Sequence, residues 1–183
     1  AKRLDPRLDI TVLEKSPFIS YSTCGIPYFI ADEVGSDDLV TFTPARLKQE
    51  RDIEAHVHAQ VEAVHPSRKR VEVRRTDTGE TLTFPFDRLL LSTGVRPSRP
   101  DIPGTSLENV FSITSLEDAV RIRPSLDRAG TVAIVGGGYV GLEMAEALRK
   151  LNKSVTIFEQ RTHIMGGVDP DMARIIEYEL LRH

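Results

Sequence analysis

The pattern of apolar and polar positions changes character twice between residues 131 and 159. Residues 132–135 form a short continuous apolar run, as expected of a parallel strand that is covered on both faces. Apolar residues at helical spacing follow over residues 140–151 and predict an amphipathic helix. A second apolar run at residues 154–158 predicts another buried strand. The pattern therefore predicts a strand, a helix and a parallel strand in succession.

Three glycines lie where the first of these strands meets the helix. Gly136, Gly138 and Gly141 fit the spacing G-x-G-x-x-G. In such a turn the first glycine permits the tight bend, the second lets a pyrophosphate approach the backbone, and the third lets the helix lie close to the strand. The phosphates would meet free N–H groups and the positive end of the helix dipole. The turn predicts a dinucleotide site, and a purely structural glycine turn is the alternative.

An acidic residue ends the second strand. Glu159 lies 18 residues after Gly141. A carboxylate at this place accepts hydrogen bonds from an adenosine ribose, which favours NAD(H) over NADP(H) because a 2′-phosphate would meet a like charge. Arg161 weakens this preference, since a nearby arginine is suited to a 2′-phosphate.

The beginning of the chain carries the same strand signature. Residues 9–14 form an apolar strand that ends in Glu14, and residues 1–8 are typical of the last turn of a helix and a loop. We therefore expect a second dinucleotide fold whose first strand and glycine turn lie outside this chain, and an internal piece of a longer protein. The alternative is an edge strand with a surface glutamate.

Further elements are predicted along the chain. Helices are expected at residues 44–51, at 116–126 after a Ser115 N-cap, and from Pro170 to His183. Three short strands at 61–64, 70–73 and 81–84 predict a small antiparallel meander, and residues 87–94 predict another buried strand. The prolines at positions 97, 100 and 103 predict a stiff connector and a domain boundary.

The composition is that of an ordinary globular protein. Of 183 residues, 40% are hydrophobic and 28% charged, and the net charge of −3 gives no electrostatic case for nucleic acid. No apolar run approaches the roughly 18 residues that a bilayer-spanning helix needs. No signal peptide opens the sequence, so a cytoplasmic location is expected. His56 and His58 would share a strand face, but no Cys or acid accompanies them at ligand spacing, so we expect no metal site.

Cys24 is the single cysteine, so no internal disulfide is possible. It lies in a loop of prolines, glycine and small hydroxyl residues at positions 16–28, which leads towards a helix. A thiol near a helix N-terminus has its thiolate favoured by the dipole and is a better nucleophile. A structural or incidental role as a small apolar side chain is the alternative.

Four motifs together give the chain a family resemblance. They lie at residues 20–28, 89–97, 102–104 and 136–159. In order and spacing the chain resembles the flavoprotein pyridine nucleotide-disulfide oxidoreductases, in the single-cysteine branch of coenzyme A-disulfide reductase, NADH oxidase, NADH peroxidase and persulfide reductase. The resemblance implies an α/β fold with two Rossmann-like, doubly wound dinucleotide-binding domains, both incomplete. The small meander then belongs to a partial FAD-binding domain at residues 1–104, and a partial NAD(P)-binding domain occupies residues 105–183.

The resemblance also implies a function and a set of site residues. The implied reaction passes hydride from NAD(P)H to FAD and then reduces a disulfide, persulfide or peroxide at Cys24. The cofactor-binding residues are expected to be Glu14, Lys15, Val61, Thr93 and Gly94 for FAD, and Gly136, Gly138, Tyr139, Val140, Gly141, Glu143 and Glu159 for NAD(P)H. The residues expected to hold a coenzyme A substrate are Arg3, Ser20 and Thr23. Thr23 departs from the asparagine expected at its position.

Other readings of the same motifs remain open. A coenzyme A-disulfide reductase is the first expectation, with an NADH oxidase or peroxidase as its nearest alternative. A ferredoxin-reductase-type electron-transfer flavoprotein shares the glycine turns but lacks the redox cysteine, and a non-enzymatic NAD-binding module would use the turn alone. The resemblance implies a homodimer that acts on a small molecule, without nucleic acid or membrane as partner.

Overall fold

The computed structural model describes residues 1–182, which pack as two compact units. The first unit consists of Ala1–Thr23 and Asp37–Asp118, and the second of Cys24–Ser36 together with the described residues from Ala119 onward. These units group residues by packing, so the domain boundary between residues 104 and 105 stays a prediction. No helix of the described part of the chain is long and apolar enough to cross a membrane.

The secondary structure is a mixture of short strands and helices. The strands are β1 Thr11–Leu13, β2 Ser20–Tyr21, β3 Val40–Phe42, β4 Glu54–His56, β5 Ala59–His65, β6 Arg70–Arg75, β7 Thr81–Pro85, β8 Thr131–Val135 and β9 Ser154–Phe158. The helices are α1 Ile26–Ile30, α2 Ser36–Leu39, α3 Pro44–Arg51, α4 Leu116–Arg128, α5 Tyr139–Lys150 and α6 Pro170–Leu180. Short 3-10 turns occupy Thr23–Gly25 and Pro66–Arg68. The helix predicted at residues 44–51 is confirmed as α3.

The first unit has its core in the predicted meander, which is confirmed. β5, β6 and β7 form an antiparallel three-stranded sheet in chain order. One face of this sheet buries Val71, Val73 and Ala59, and Leu13 and Phe84 pack against them. In the same unit β1 pairs with β4 in parallel, and β2 pairs with β3 in antiparallel fashion.

The N-terminus of α4 is closed by the predicted cap. The backbone N–H of Asp118 donates to Oγ of Ser115 at 3.1 Å, and the N–H of Ser115 donates to Oδ2 of Asp118 at 3.1 Å. This reciprocal pair satisfies two N–H groups that the helix leaves without intrahelical partners. The helix runs to Arg128, two residues beyond the predicted end.

The second unit contains the predicted strand, helix and strand. β8 and β9 pair in parallel, with Thr131 opposite Ser154 and Val135 opposite Phe158. The expectation that both faces of these strands are covered is wrong. Alternate residues are half-buried and the rest exposed, with Val135 70% and Phe158 58% exposed. The sequence shows an apolar run, but among the described residues helix α5 packs against the pair and alternate residues of both strands stay exposed.

Two further predictions about regular structure are wrong. Residues 87–94 are not a strand, and Leu90 is 88% exposed. A strand is stabilised by hydrogen bonds to neighbouring strands, and no described strand pairs with this segment. His58 does not share a strand face with His56, because β4 ends at His56 and His58 has a left-handed φ of 54°.

The predicted final helix is confirmed, with an earlier end. Helix α6 ends at Leu180, and His183, to which the prediction extended, lies outside the described residues.

Candidate cofactor-binding and redox site

The glycine turn between β8 and α5 requires glycine at its first and third positions. Gly136 has a φ of +110°, which side-chain-bearing residues rarely adopt. A Cβ at Gly141 would overlap the carbonyl oxygen of Gly136. The helix therefore approaches the turn so closely that only a hydrogen fits at position 141.

Among the described residues, no contact or backbone angle requires glycine at the middle position of the motif. Gly138 has an ordinary φ of −84°, and a Cβ there would meet no atom within 4 Å. It precedes α5, and no side chain caps that helix. The first-turn N–H groups therefore border open space at Gly138, where an anion would gain both hydrogen bonds and the helix dipole.

Glu159 is held beside this turn by two backbone N–H groups. The N–H of Gly137 donates to Oε2 and the N–H of Arg161 donates to Oε1, each at 2.8 Å. These bonds, that from Arg161 first and that from Gly137 second, lower the pKa of Glu159 below its ordinary value. The guanidinium of Arg161 donates to the carbonyl of Gly166 at 3.1 Å. The carboxylate is thus fixed and ionised next to the glycine turn.

Cys24 is the middle residue of the 3-10 turn Thr23–Gly25, which runs directly into α1. Its thiol is free and exposed. The predicted position near a helix N-terminus is confirmed, and the redox role of the thiol stays a prediction. The thiol is therefore open to a reaction partner from outside the chain.

Cys24 and Glu143 line one pocket of about 230 Å³ within the second unit. The remaining lining residues come from helix α1 and the residues after it, and from α5: Pro27, Tyr28, Ala31, Glu33, Glu146, Ala147 and Lys150. The two predicted residues are far apart in sequence, and the packing of α1 against α5 brings them together. Tyr139 and Val140 lie on the first turn of α5 and are 66% and 56% exposed.

Sequence reasoning missed the ion pairs in this pocket. The ammonium group of Lys150 lies 2.8 Å from Oε1 of Glu33 and 3.4 Å from Oε1 of Glu146. The hydrogen bond to Glu33 raises the pKa of Lys150. Lys150 also lies 5.7 Å from the ring centroid of Tyr28. Only the spacing of Glu146 and Lys150 on one helix gave any signal in the sequence.

The structure does not gather the predicted FAD residues around one point. Oε1 of Glu14 accepts the N–H of Ser16 at 2.8 Å. Lys15 is exposed, and Val61 lies in β5 opposite Val73 with 39% of its surface exposed. Their roles therefore stay predictions.

Thr93 and Gly94 lie in the exposed segment that the sequence predicted to be a strand. Gly94 has a φ of +68° and a Cβ there would meet nothing within 4 Å. The backbone at this position favours glycine and is open, as close approach of a ligand requires. An open backbone of this kind suits contact with a cofactor, and within this chain the segment stays exposed.

The predicted substrate residue Arg3 lines a second pocket, of about 310 Å³, in the first unit. The pocket is also lined by Ala1 and by basic and apolar residues: Lys2, Arg51, Phe42, Leu47 and Ile53. Ser20 lies opposite Phe42 in the β2–β3 pair, and its Oγ is 2.7 Å from Oγ1 of Thr41. Thr23, the third predicted residue, is exposed and does not line this pocket. Ser20 thus lies opposite Phe42, which lines the same pocket as Arg3, whereas Thr23 does not line it.

A parallel strand pair joined by a glycine-turn helix, with a fixed carboxylate at the end of the second strand, defines a dinucleotide-binding α/β protein. The family profile of pyridine nucleotide-disulphide oxidoreductases matches residues 1–183. The chain belongs to this family, which confirms the resemblance and the α/β fold class.

Similar proteins agree with this assignment. The chain is 36% identical to an NAD(P)H sulfur oxidoreductase (CoA-dependent) of Pyrococcus abyssi, over 100% of this chain and 41% of that protein. It is 33% identical to an NADH oxidase of Methanocaldococcus jannaschii, over 96% of this chain and 40% of that protein. The crystal structure of reduced Bacillus anthracis CoADR-RHD matches with a TM-score of 0.94 at 28% identity, covering 100% of this chain and 33% of that one. The chain spans about two fifths of the length of the curated relatives named here.

Proposed function

We propose that the protein containing this chain is an FAD-dependent NAD(P)H:disulfide oxidoreductase, most similar in action to a coenzyme A-disulfide reductase. The observation that carries the proposal is that exposed Cys24 shares a pocket with Glu143, on the helix that starts at the glycine turn. The exposed thiol and the helix proposed to meet the nicotinamide thereby belong to one unit. The similarity to a CoA-dependent sulfur oxidoreductase supports the same reaction class.

The residues of the glycine turn fit a nicotinamide dinucleotide. Gly138 leaves room for the pyrophosphate, the first turn of α5 offers N–H groups, and Glu159 offers acceptor oxygens to a ribose. Gly136, Gly141 and the first-turn residues Tyr139 and Val140 shape this site. Because Glu159 is ionised and fixed, NADH is the preferred cofactor.

The segments around Glu14 and Gly94 would hold FAD, with Lys15, Val61 and Thr93 nearby in the same unit. When bound, FAD supplies the two-electron relay between the nicotinamide and the thiol. The proposal for these five residues rests on the family and on the open, left-handed backbone at Gly94.

Cys24 would act as the nucleophile towards a disulfide substrate. Its thiolate attacks one sulfur of RS–SR and forms a mixed disulfide between Cys24 and that sulfur. The S–S bond of the substrate breaks at the same time, and the other half leaves as RS⁻. Two electrons from NAD(P)H then restore the thiolate and release the second RS⁻. The overall balance is RS–SR + NAD(P)H + H⁺ → 2 RSH + NAD(P)⁺. Because no second cysteine stands at C-x-x-C or C-x4-C spacing from Cys24, we propose that the partner sulfur comes from a small molecule.

The second pocket supports an anionic, partly apolar substrate. Arg3 and Arg51 contribute positive charge beside Phe42, while Lys2 is paired with Asp52 at 2.8 Å. A nucleotide-like tail such as that of coenzyme A combines the phosphate groups and the flat apolar base that such a pocket accepts. Ser20, on the strand beside Phe42, belongs to the same proposed surface.

A second candidate is an NADH oxidase or peroxidase, in which Cys24 cycles through a sulfenic acid. The observations that favour it are the 33% identity to an archaeal NADH oxidase and threonine, not asparagine, at position 23. For either activity, the family resemblance supports a homodimer in the cytoplasm.

The test is an anaerobic titration of the intact protein with NADH, followed by its absorption spectrum. We expect NADH to reduce a bound flavin, and coenzyme A disulfide to reoxidise it in wild type. Cys24→Ser should lose disulfide turnover at least about 1,000-fold, because the nucleophile is absent, while flavin reduction by NADH stays within about twofold. Full disulfide turnover by Cys24→Ser would overturn the proposal, and peroxide or oxygen as the sole efficient oxidant would favour the second candidate.

A further inference from the structure

The loop between β9 and α6 is tied both to the glycine turn and to α6. We call residues 160–168 the strap loop. The N–H of Met165 donates to the carbonyl of Gly137 at 2.7 Å. The N–H of Ile164 donates to Oε1 of Glu177 on α6 at 3.1 Å. All of these residues belong to the second unit, and Glu177 has no part in the proposed chemistry.

The strap loop also closes directly on the turn. A Cβ at Gly137 would lie 2.7 Å from Cγ2 of Ile164 and 3.4 Å from Cβ of Glu159. Ile164 and Met165 are only 9% and 8% exposed. Gly137 occupies a variable position of G-x-G-x-x-G, so the motif does not require glycine there. The structure shows that contact with Ile164 requires it.

The peptide groups on both sides of Gly137 are therefore held in fixed directions. Its N–H donates to Glu159 and its carbonyl accepts from Met165. A turn that binds phosphate must present N–H groups and keep carbonyl oxygens away from the anion. The bond from Met165 engages the Gly137 carbonyl within the protein, and the N–H of Gly138 belongs to the same peptide group.

We propose that Glu177 is a positioning residue for the dinucleotide site. By accepting the N–H of Ile164, it holds the strap loop on Gly137 and so orients the peptide that precedes α5. Glu177 acts through the strap loop and does not touch the cofactor. This inference rests on the proposed binding of NAD(H) at the glycine turn.

The test measures NADH binding and flavin reduction in the intact protein by anaerobic stopped flow. Glu177→Ala should raise the Kd for NADH about tenfold, as expected for losing a hydrogen bond to a charged group, with an unchanged limiting rate of reduction. Glu177→Gln should stay within about twofold of wild type, because the amide oxygen still accepts from Ile164. Glu179→Ala is the matched control on the same helix and should bind NADH as wild type does.

A second measurement does not depend on the stability of a variant. If the strap loop favours the binding-competent turn, NADH must favour the strap loop equally, by linkage. Amide hydrogen exchange at Ile164 and Met165 in the wild type should therefore slow when NADH is added. Wild-type NADH affinity in folded Glu177→Ala, or unchanged exchange at both amides in an NADH-bound wild type, overturns the inference alone. A wild type that does not bind NADH overturns the proposed function as well.

Discussion

Two strands of this chain end in a glutamate, and among the described residues a glycine turn lies beside one of the two glutamates. Glu14 follows β1 and Glu159 follows β9. In each case Oε1 accepts the backbone N–H two residues further on, at 2.8 Å. Oε2 of Glu159 additionally accepts the N–H of Gly137. The local turn is the same, and the surroundings differ.

Within the described residues the two strands have different parallel neighbours. β8 lies beside β9 and leads into Gly136, whose N–H donates to the carbonyl of Phe158 at 2.8 Å. Beside β1 lies β4, and here Glu14 itself donates to the last carbonyl of the neighbour, that of His56, at 2.9 Å. A strand-ending acid is thus a local feature. A dinucleotide site needs the neighbouring strand to supply the glycine turn.

The largest effects are expected from alanine substitutions at two glycines of this turn, one of which should lower stability and the other NADH affinity. Gly141→Ala places a methyl group against the Gly136 carbonyl, so α5 must move, at a cost of about 3 kcal/mol in unfolding free energy. Gly138→Ala meets no protein atom and should leave stability unchanged, but its methyl group occupies the space proposed for the pyrophosphate. Thermal unfolding and the Kd for NADH of both variants check this.

The two outcomes of that experiment are distinguishable. We expect NADH affinity to fall about 100-fold in Gly138→Ala at an unchanged unfolding midpoint, because steric exclusion removes several phosphate hydrogen bonds. Gly130→Ala, just before β8 in the same unit, is the matched control: a Cβ there also meets nothing within 4 Å and its φ is not left-handed, so stability and NADH affinity should both stay unchanged. Normal NADH binding by Gly138→Ala would contradict the assignment of the turn.

The next largest effect is expected from replacing each of the two glutamates by alanine. Glu159→Ala should narrow the preference for NADH over NADPH about tenfold, because the carboxylate that binds the ribose and repels a 2′-phosphate is lost. Glu14→Ala should leave that preference unchanged and weaken retention of FAD. Ratios of kcat/KM for the two nicotinamides, with flavin content after dialysis, measure both. An intact wild type that uses NADPH as well as NADH would contradict the role of Glu159.

Local patterns predicted much of this fold and little of its long-range packing. Residues 44–51 carry a helix signal, and in the structure Oγ1 of Thr43 caps this helix by accepting the N–H of Arg46 at 3.2 Å. Residues 87–94 carry an equally clear strand signal, yet strand formation depends on a neighbour, which no sequence window contains. Glycine spacing located the turn, but the need for glycine at position 137 comes from Ile164, and only the folded loop reveals it.

The candidate site shows the same difference between local features, which the sequence predicts, and long-range packing, which it does not. The position of Cys24 near a helix N-terminus was predictable, because the loop composition and the following helix are local features of the sequence. Its pocket with Glu143 depends on the packing of α1 against α5, and the pairing of Lys150 with Glu33 joins residues more than a hundred positions apart. The basic pocket at Arg3 likewise draws Arg51 from a distant helix. Charges that meet only after folding leave no spacing signal.

The smallest expected effect tests the second bond to Glu159. Because the folded-state pKa of Glu159 is lowered, its ionised form contributes stability that is fully present above the ordinary pKa of an unfolded glutamate, and this contribution is lost as pH falls through the lowered folded pKa. Glu159→Gln does not titrate. The difference in unfolding midpoint between wild type and Glu159→Gln should therefore be constant from about pH 5 to 8 and shrink towards pH 3.

Glu14→Gln, measured at pH 7, shows how far the unfolding midpoint falls when a strand-ending carboxylate that accepts one backbone N–H is replaced. If the N–H of Gly137 matters, the unfolding midpoint at pH 7 should fall further in Glu159→Gln than in Glu14→Gln, because the carboxylate of Glu159 accepts one N–H more. Equal losses in the two variants would mean that the bond from Gly137 adds no stability. The glycine turn would then take its order from the strap loop and not from Glu159.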